Sequence, residues 1–116
     1  MRSDAREYCR RAARQGRQFD LIVLDPPSFA RVKQTGKVFV LEEELERLVA
    51  AAVEVLAPGG DLLLSTNNRS VSWGRLEAAV RTAAEGRPVR LERLPLAADF
   101  AGDPDYAKAL LARSAP

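Results

Sequence analysis

Histidine is absent from the 116-residue sequence, and cysteine occurs once, as Cys9. A Cys/His zinc site, a Ser-His-Asp triad and an internal disulfide are thereby excluded, and with them much of hydrolase chemistry. No metal is expected. No apolar run approaches the roughly 18 residues of a membrane span. The opening segment, Met1 to Arg11, is charged rather than signal-like, so a cytoplasmic protein with no membrane partner is expected. An excess of one charge is missing too: 18 basic and 16 acidic side chains leave a net charge of +2. That balance does not by itself point to nucleic acid, and any basic signal must be local. There is no internal repeat and no low-complexity segment. What remains is 47% hydrophobic and 29% charged, enough material for one compact domain.

The apolar periodicity gives the order of elements. Ala5, Tyr8, Cys9, Ala12 and Ala13 share one face of a helix predicted over Asp4 to Gln15. Asp4 and Glu7 have the spacing of an N-cap acid and its capping-box partner, and Gly16 suits a left-handed stop. Leu21 to Leu24 is a continuous apolar run, as expected of a central strand covered on both faces, and it ends at Asp25-Pro26-Pro27. The polar stretch Ser28 to Val38, with Arg31, Lys33 and Lys37, reads as a mobile basic loop. Leu41 to Leu56 repeats at spacings of three and four, a helix expected to stop at Pro58-Gly59-Gly60. A short buried strand follows over Asp61 to Ser65 and ends in Thr66-Asn67-Asn68. A third helix from Trp73 to Ala84 is capped by Ser70 or Ser72. Val89 to Leu94 and Tyr106 to Arg113 read as closing strands, separated by a loop with Gly102, Asp103 and Pro104. The order predicts an α/β fold with a parallel core of about four strands, the last antiparallel, flanked by three helices.

Ligands of open α/β sheets sit outside the carboxyl ends of the strands, which directs attention to the residues after Leu24 and Leu64. In Asp25-Pro26-Pro27, two successive prolines remove two N–H donors and leave carbonyls free to accept from a ligand. An amino or ring N–H could be held there by the Asp25 carboxylate, with Phe29 available to stack on a flat base. The alternative is a plain strand-terminating turn. Asn67 and Asn68 are open to the same two readings, partners for a base or caps of the following turn. Four apolar residues ending in Asp also describe a Walker B strand, but the chain has no matching phosphate-binding loop, and proline follows the aspartate.

Read in order, L-I-V-L-D-P-P-S-F (Leu21 to Phe29), the helix ending L-A-P-G-G, the strand D-L-L-L-S-T-N-N and the L-A-A-D-F segment (Leu96 to Phe100) resemble part of a known family. They are similar to the C-terminal half of class I S-adenosylmethionine-dependent methyltransferases, nearest to those acting on large-subunit ribosomal RNA. The resemblance implies a Rossmann-like doubly wound sheet, S-adenosyl-L-methionine as cofactor and RNA as substrate. It implies that residues 1–116 are a partial methyltransferase domain lacking the cofactor-binding N-terminal half, with that half or a second copy as partner. Asp4 and Ala5 would lie at the cofactor adenine. Asp25, Pro26 and Pro27 would lie beside the transferred methyl, with Asp25 also touching cofactor. Ser28, Phe29, Arg31, Lys33, Lys37, Asn67 and Asn68 would face the RNA. Ser28 stands where amino-group enzymes with a related loop carry an aromatic residue. Enzymes that methylate carbon 5 of cytosine need a cysteine near the strand that here ends in Ser65 to Asn68, and there is none. Cys9 is expected to be a small core residue. A remnant of the fold that acts only as a binding module is the second expectation.

Overall fold

The computed structural model describes residues 5–26, 29–31, 38–68, 70–94 and 108–116. Helix α1 (Ala5–Arg14) is followed by strand β1 (Phe19–Leu24) and by two short strands, β2 (Phe29–Arg31) and β3 (Val38–Val40). Helix α2 (Leu41–Glu54), strand β4 (Leu56–Thr66), helix α3 (Trp73–Ala84) and strands β5 (Val89–Arg93) and β6 (Lys108–Ser114) complete the order. The main sheet runs β1-β4-β6-β5, with β1 parallel to β4 and β6 antiparallel to both its neighbours. The α/β class, the four strands and the antiparallel last strand are as the sequence predicts.

The core lies between this sheet and a helical layer in which α2 packs on both α1 and α3. Alternation along the strands decides which side chains enter it. Leu24, Leu62, Leu64, Leu110 and Ala112 are buried against Leu45, Leu48, Val49, Leu76 and Val80 of the helices. Between them Leu63 of β4 and Leu111 of β6 are half-buried, and on β1 Leu21 and Val23 are 63% and 58% exposed. The expectation that Leu21 to Leu24 is covered on both faces is therefore corrected. Among the described residues β1 pairs with β4 alone, and the helices take one face of the sheet.

Two further expectations are corrected. The stretch read as an irregular loop contains an antiparallel pair, with Phe29 opposite Val40 and Arg31 opposite Val38. β3 runs straight into α2, whose first residue follows Val40 in an extended conformation. Helix α2 stops at Glu54, before the Pro58-Gly59-Gly60 signal, because Val55 and Leu56 are recruited by β1. The Phe19 N–H donates to the Val55 carbonyl at 2.8 Å, and Leu56 is the register partner of Phe19. Leu21 is next aligned with Asp61, so residues 57–60 bulge out of the ladder rather than cap the helix. Gly59 supplies a φ of 78° in that bulge. Gly60 is needed for space: a Cβ there would lie 2.8 Å from the Ala57 carbonyl oxygen and 3.1 Å from that of Phe19.

Candidate active site

The parallel pairing of β1 and β4 brings their carboxyl ends side by side, with Leu24 opposite Leu64. Asp25 and Ser65 are thus neighbours, and the Ser65 hydroxyl donates to Asp25 Oδ1 at 3.0 Å. Asp25 is exposed at the strand end while Pro26 is half-buried. Among the described residues the second carboxylate oxygen of Asp25 makes no hydrogen bond, so the group can accept an N–H from a ligand while Ser65 fixes its orientation.

Beyond Ser65 the chain turns on itself. The Asn68 N–H donates to Thr66 Oγ1 at 3.1 Å, and the Ser70 N–H donates to Asn68 Oδ1 at 2.8 Å. The Asn68 carbonyl accepts from the Val71 N–H at 3.2 Å and from Lys108 Nζ at 3.4 Å. Asn68 is thereby committed to the turn, as one of its two sequence readings has it. Asn67 is exposed, just before this turn. The third helix then begins at Ser72, whose hydroxyl accepts the Arg75 N–H at 3.1 Å, which selects Ser72 over Ser70 as the cap.

Asp25, Pro26, Asn67 and Asn68 stand at the same ends of two adjacent strands. Phe29 and Arg31 lie on β2, in the hairpin that follows, and Ala5 opens α1. Asp4, Pro27, Ser28, Lys33 and Lys37 lie outside the described residues, as does the segment Leu96 to Phe100. Ser65 and Lys108 are contacts that the sequence reading did not single out. A lone lysine opening the apolar strand K-A-L-L-A-R-S was the available signal for the second. Among the described residues no group of three or more side chains could hold a metal ion. Cys9 is buried, 6% exposed, and burial together with nearby Glu54 pushes its thiol pKa up, away from nucleophilic chemistry.

Away from the strand ends the charged pairs tie elements together. Arg75 makes a two-pronged contact to Glu46, both prongs at 2.9 Å, joining α3 to α2. Arg93 of β5 does the same to Glu77 of α3 at 3.0 Å and lies 5.0 Å from the Trp73 ring centre. The arginine hydrogen bond holds each glutamate below the usual carboxylate range.

No family model matches the chain. Among curated proteins it is 40% identical over 70 residues to ribosomal RNA large subunit methyltransferase K of Neisseria meningitidis serogroup B. That match covers 60% of this chain and 20% of the relative. It is 37% identical over 100 residues to ribosomal RNA large subunit methyltransferase K/L of Chromohalobacter salexigens, covering 84% of this chain and 13% of that one. The chain therefore spans a fifth or less of these relatives. The structure of SMU.776 complexed with SAH superposes over 96% of this chain and 30% of its own, with a TM-score of 0.75 and 26% identity. A SAM-dependent methyltransferase from Agrobacterium tumefaciens shares the fold, with a TM-score of 0.71 at 24% identity, over 97% of this chain and 38% of that one.

Proposed function

We infer that this chain, a Rossmann-like part of a methyltransferase domain related in sequence to the large-subunit ribosomal RNA methyltransferases, supplies the substrate side of a site for S-adenosyl-L-methionine-dependent methylation of ribosomal RNA. The observation that carries this is the Asp25 carboxylate, exposed at a strand end, oriented by Ser65 and followed by Pro26. The donor set fits. A carboxylate with one oxygen fixed, proline carbonyls without competing N–H groups, and an exposed asparagine suit an amino or ring nitrogen of a base.

The cofactor supplies an electrophilic methyl group when bound. Asp4 and Ala5 are assigned to its adenine, with Asp25 at the boundary between cofactor and base. The chain's remaining work is positional. Methyl transfer to a nitrogen lone pair needs little acid or base help, and near-attack alignment is worth about 7–11 kcal/mol. Asp25 accepts the N–H of the target base, while Pro26 and Pro27 fix the backbone that carries the acceptors. Ser28 and Phe29 line the base, with Phe29 stacking on it after the base leaves its own stack. Asn67 and Asn68 lie across the crevice, Asn67 reaching the base edge. Arg31, Lys33 and Lys37 contact phosphates. An RNA substrate of this kind implies a cytoplasmic setting.

Leu21 and Val23, exposed on β1, which among the described residues pairs with β4 alone, support a further part of the same reading. Apolar side chains on the face of β1 turned away from the helices invite a covering element, and we assign that place to the N-terminal half of the domain that the resemblance implies, or to a second copy.

Equilibrium binding of a large-subunit rRNA fragment across a salt series tests the proposal. Replacing Arg31, Lys33 and Lys37 together by Ala should flatten the slope of log affinity against log salt by about two to three units, roughly 0.7–0.9 per lost phosphate contact. An unchanged slope would make the hairpin a solvated connector and favour a small-molecule or protein acceptor.

A further inference from the structure

Lys108 occupies a position in β6 where a lysine is costly. It shares the helix-facing row with Leu110 and Ala112, and the three are 2%, 0% and 1% exposed. A leucine or methionine would fill that row without desolvating a charge, so the retained ammonium points to a use other than core stability. One of its contacts points to a use. Lys108 is the register partner of Thr66, itself 3% exposed, and its Nζ reaches past Thr66 to the Asn68 carbonyl at 3.4 Å. Thr66 Oγ1 holds the Asn68 N–H from the same side at 3.1 Å. Two buried polar side chains on adjacent antiparallel strands thus grip one backbone unit, and Asn68 Oδ1 is spent on Ser70. Asn67 lies between Thr66 and this fixed unit, exposed and without a hydrogen bond among the described residues. A polar side chain left without an internal partner on a backbone held at both neighbours is preorganised for an external one.

We propose that Lys108 is a positioning residue that, with Thr66, locks the turn after β4 so that Asn67 is presented to the RNA base at the strand ends. The assignment rests on the RNA reading above and adds to it a residue on the far strand that never touches substrate.

The test uses the 116-residue chain, with amide hydrogen exchange as one readout and affinity for a large-subunit rRNA fragment as the other. Lys108→Met keeps the length of the stem and removes the donor, whereas Lys108→Arg keeps a donor. Exchange of the Ser70 and Val71 amides should accelerate about tenfold in Lys108→Met and stay near the unmodified rate in Lys108→Arg. RNA affinity should fall equally in Lys108→Met and Asn67→Ala and no further in the double variant, because both act through one contact. Thr66→Val should reproduce both effects and serves if Lys108→Met does not fold. Unchanged exchange in both Lys108→Met and Thr66→Val, or additive losses of affinity, would overturn the positioning role while leaving RNA binding by the unmodified chain as support for the functional reading. If the unmodified chain binds no RNA, the functional reading fails, and the use assigned to Asn67 fails with it whatever the exchange rates.

Discussion

Single residues carry the account where two backbones or two charges meet. Gly60 sits where β4 re-enters the ladder beneath β1, and a methyl group there would press on the Ala57 and Phe19 carbonyl oxygens. These two oxygens are backbone and cannot swing aside as the third neighbour, Leu56 Cδ1 at 3.0 Å, can, so Gly60→Ala should destabilise the chain by about 1–3 kcal/mol, read from the denaturation midpoint. Glu46 offers a test with pH. Its hydrogen bond from Arg75 lowers the folded-state pKa below the unfolded one, so the stability it adds is fully present above the ordinary glutamate value of about 4.3. That stability is lost as pH falls through the lowered value. The pair is largely solvent-accessible, so its contribution is no more than about 1 kcal/mol. Glu46→Gln should therefore lower the thermal midpoint at pH 7 and leave it unchanged at pH 2, and an equal loss at both would assign the effect to packing. At the candidate site, the sequence singles out Asp25 as a carboxylate at the end of an apolar run, before two prolines. It does not single out Ser65, since only the register of β1 on β4 makes that residue the neighbour of Asp25. Lys108 escaped for a related reason: a polar residue at the start of a strand reads as solvent-facing until its partner strand is known.

At the scale of elements, α3 shows how sequence signals and structure agree when every signal is local. Ser72 caps it, Glu85 closes it with a φ of 46°, and Gly86 follows with a φ of 87°. Ser72→Ala should cost about 1 kcal/mol through loss of the bond to the Arg75 N–H. The same change at Ser70, which lies outside the helix, should cost less, and equal losses would refute the cap. Helix α2 is the opposite case. The spacing of Leu41 to Leu56 continues past the true end at Glu54, because Val55 and Leu56 are apolar in either state. Long-range pairing with Phe19, which no local pattern encodes, decides between helix and strand. Strands β2 and β3, at three residues each, are too short for a period of two to register. The run Leu21 to Leu24 was correctly read as a strand and wrongly read as covered on both faces, because apolar content specifies what a strand suits rather than what lies beside it.

Among the described residues one layer of helices lies on the four-stranded sheet, with Asp25, Ser65 and Asn67 at the carboxyl ends of its adjacent parallel strands and exposed apolar side chains on β1. Fold class was legible because the alternation of helix and strand leaves few topologies. The functional reading rests on the fixed order of motifs, since a net charge of +2 and the absence of histidine narrow chemistry without naming it. In the proposed function this chain supplies the substrate side of a methyl-transfer site, with Asp25 at the target base. The most direct measurement is transfer of labelled methyl from S-adenosyl-L-methionine to unmodified large-subunit rRNA by a chimaera. In it, this chain replaces the matched segment of the Neisseria meningitidis relative, with and without Asp25→Ala. Label should enter the RNA with Asp25 present and at least about a hundredfold less with Asp25→Ala, about 2.7 kcal/mol of lost transition-state stabilisation, in a protein with an unchanged thermal midpoint. A folded chimaera that transfers methyl equally well with alanine at that position would contradict this role of Asp25.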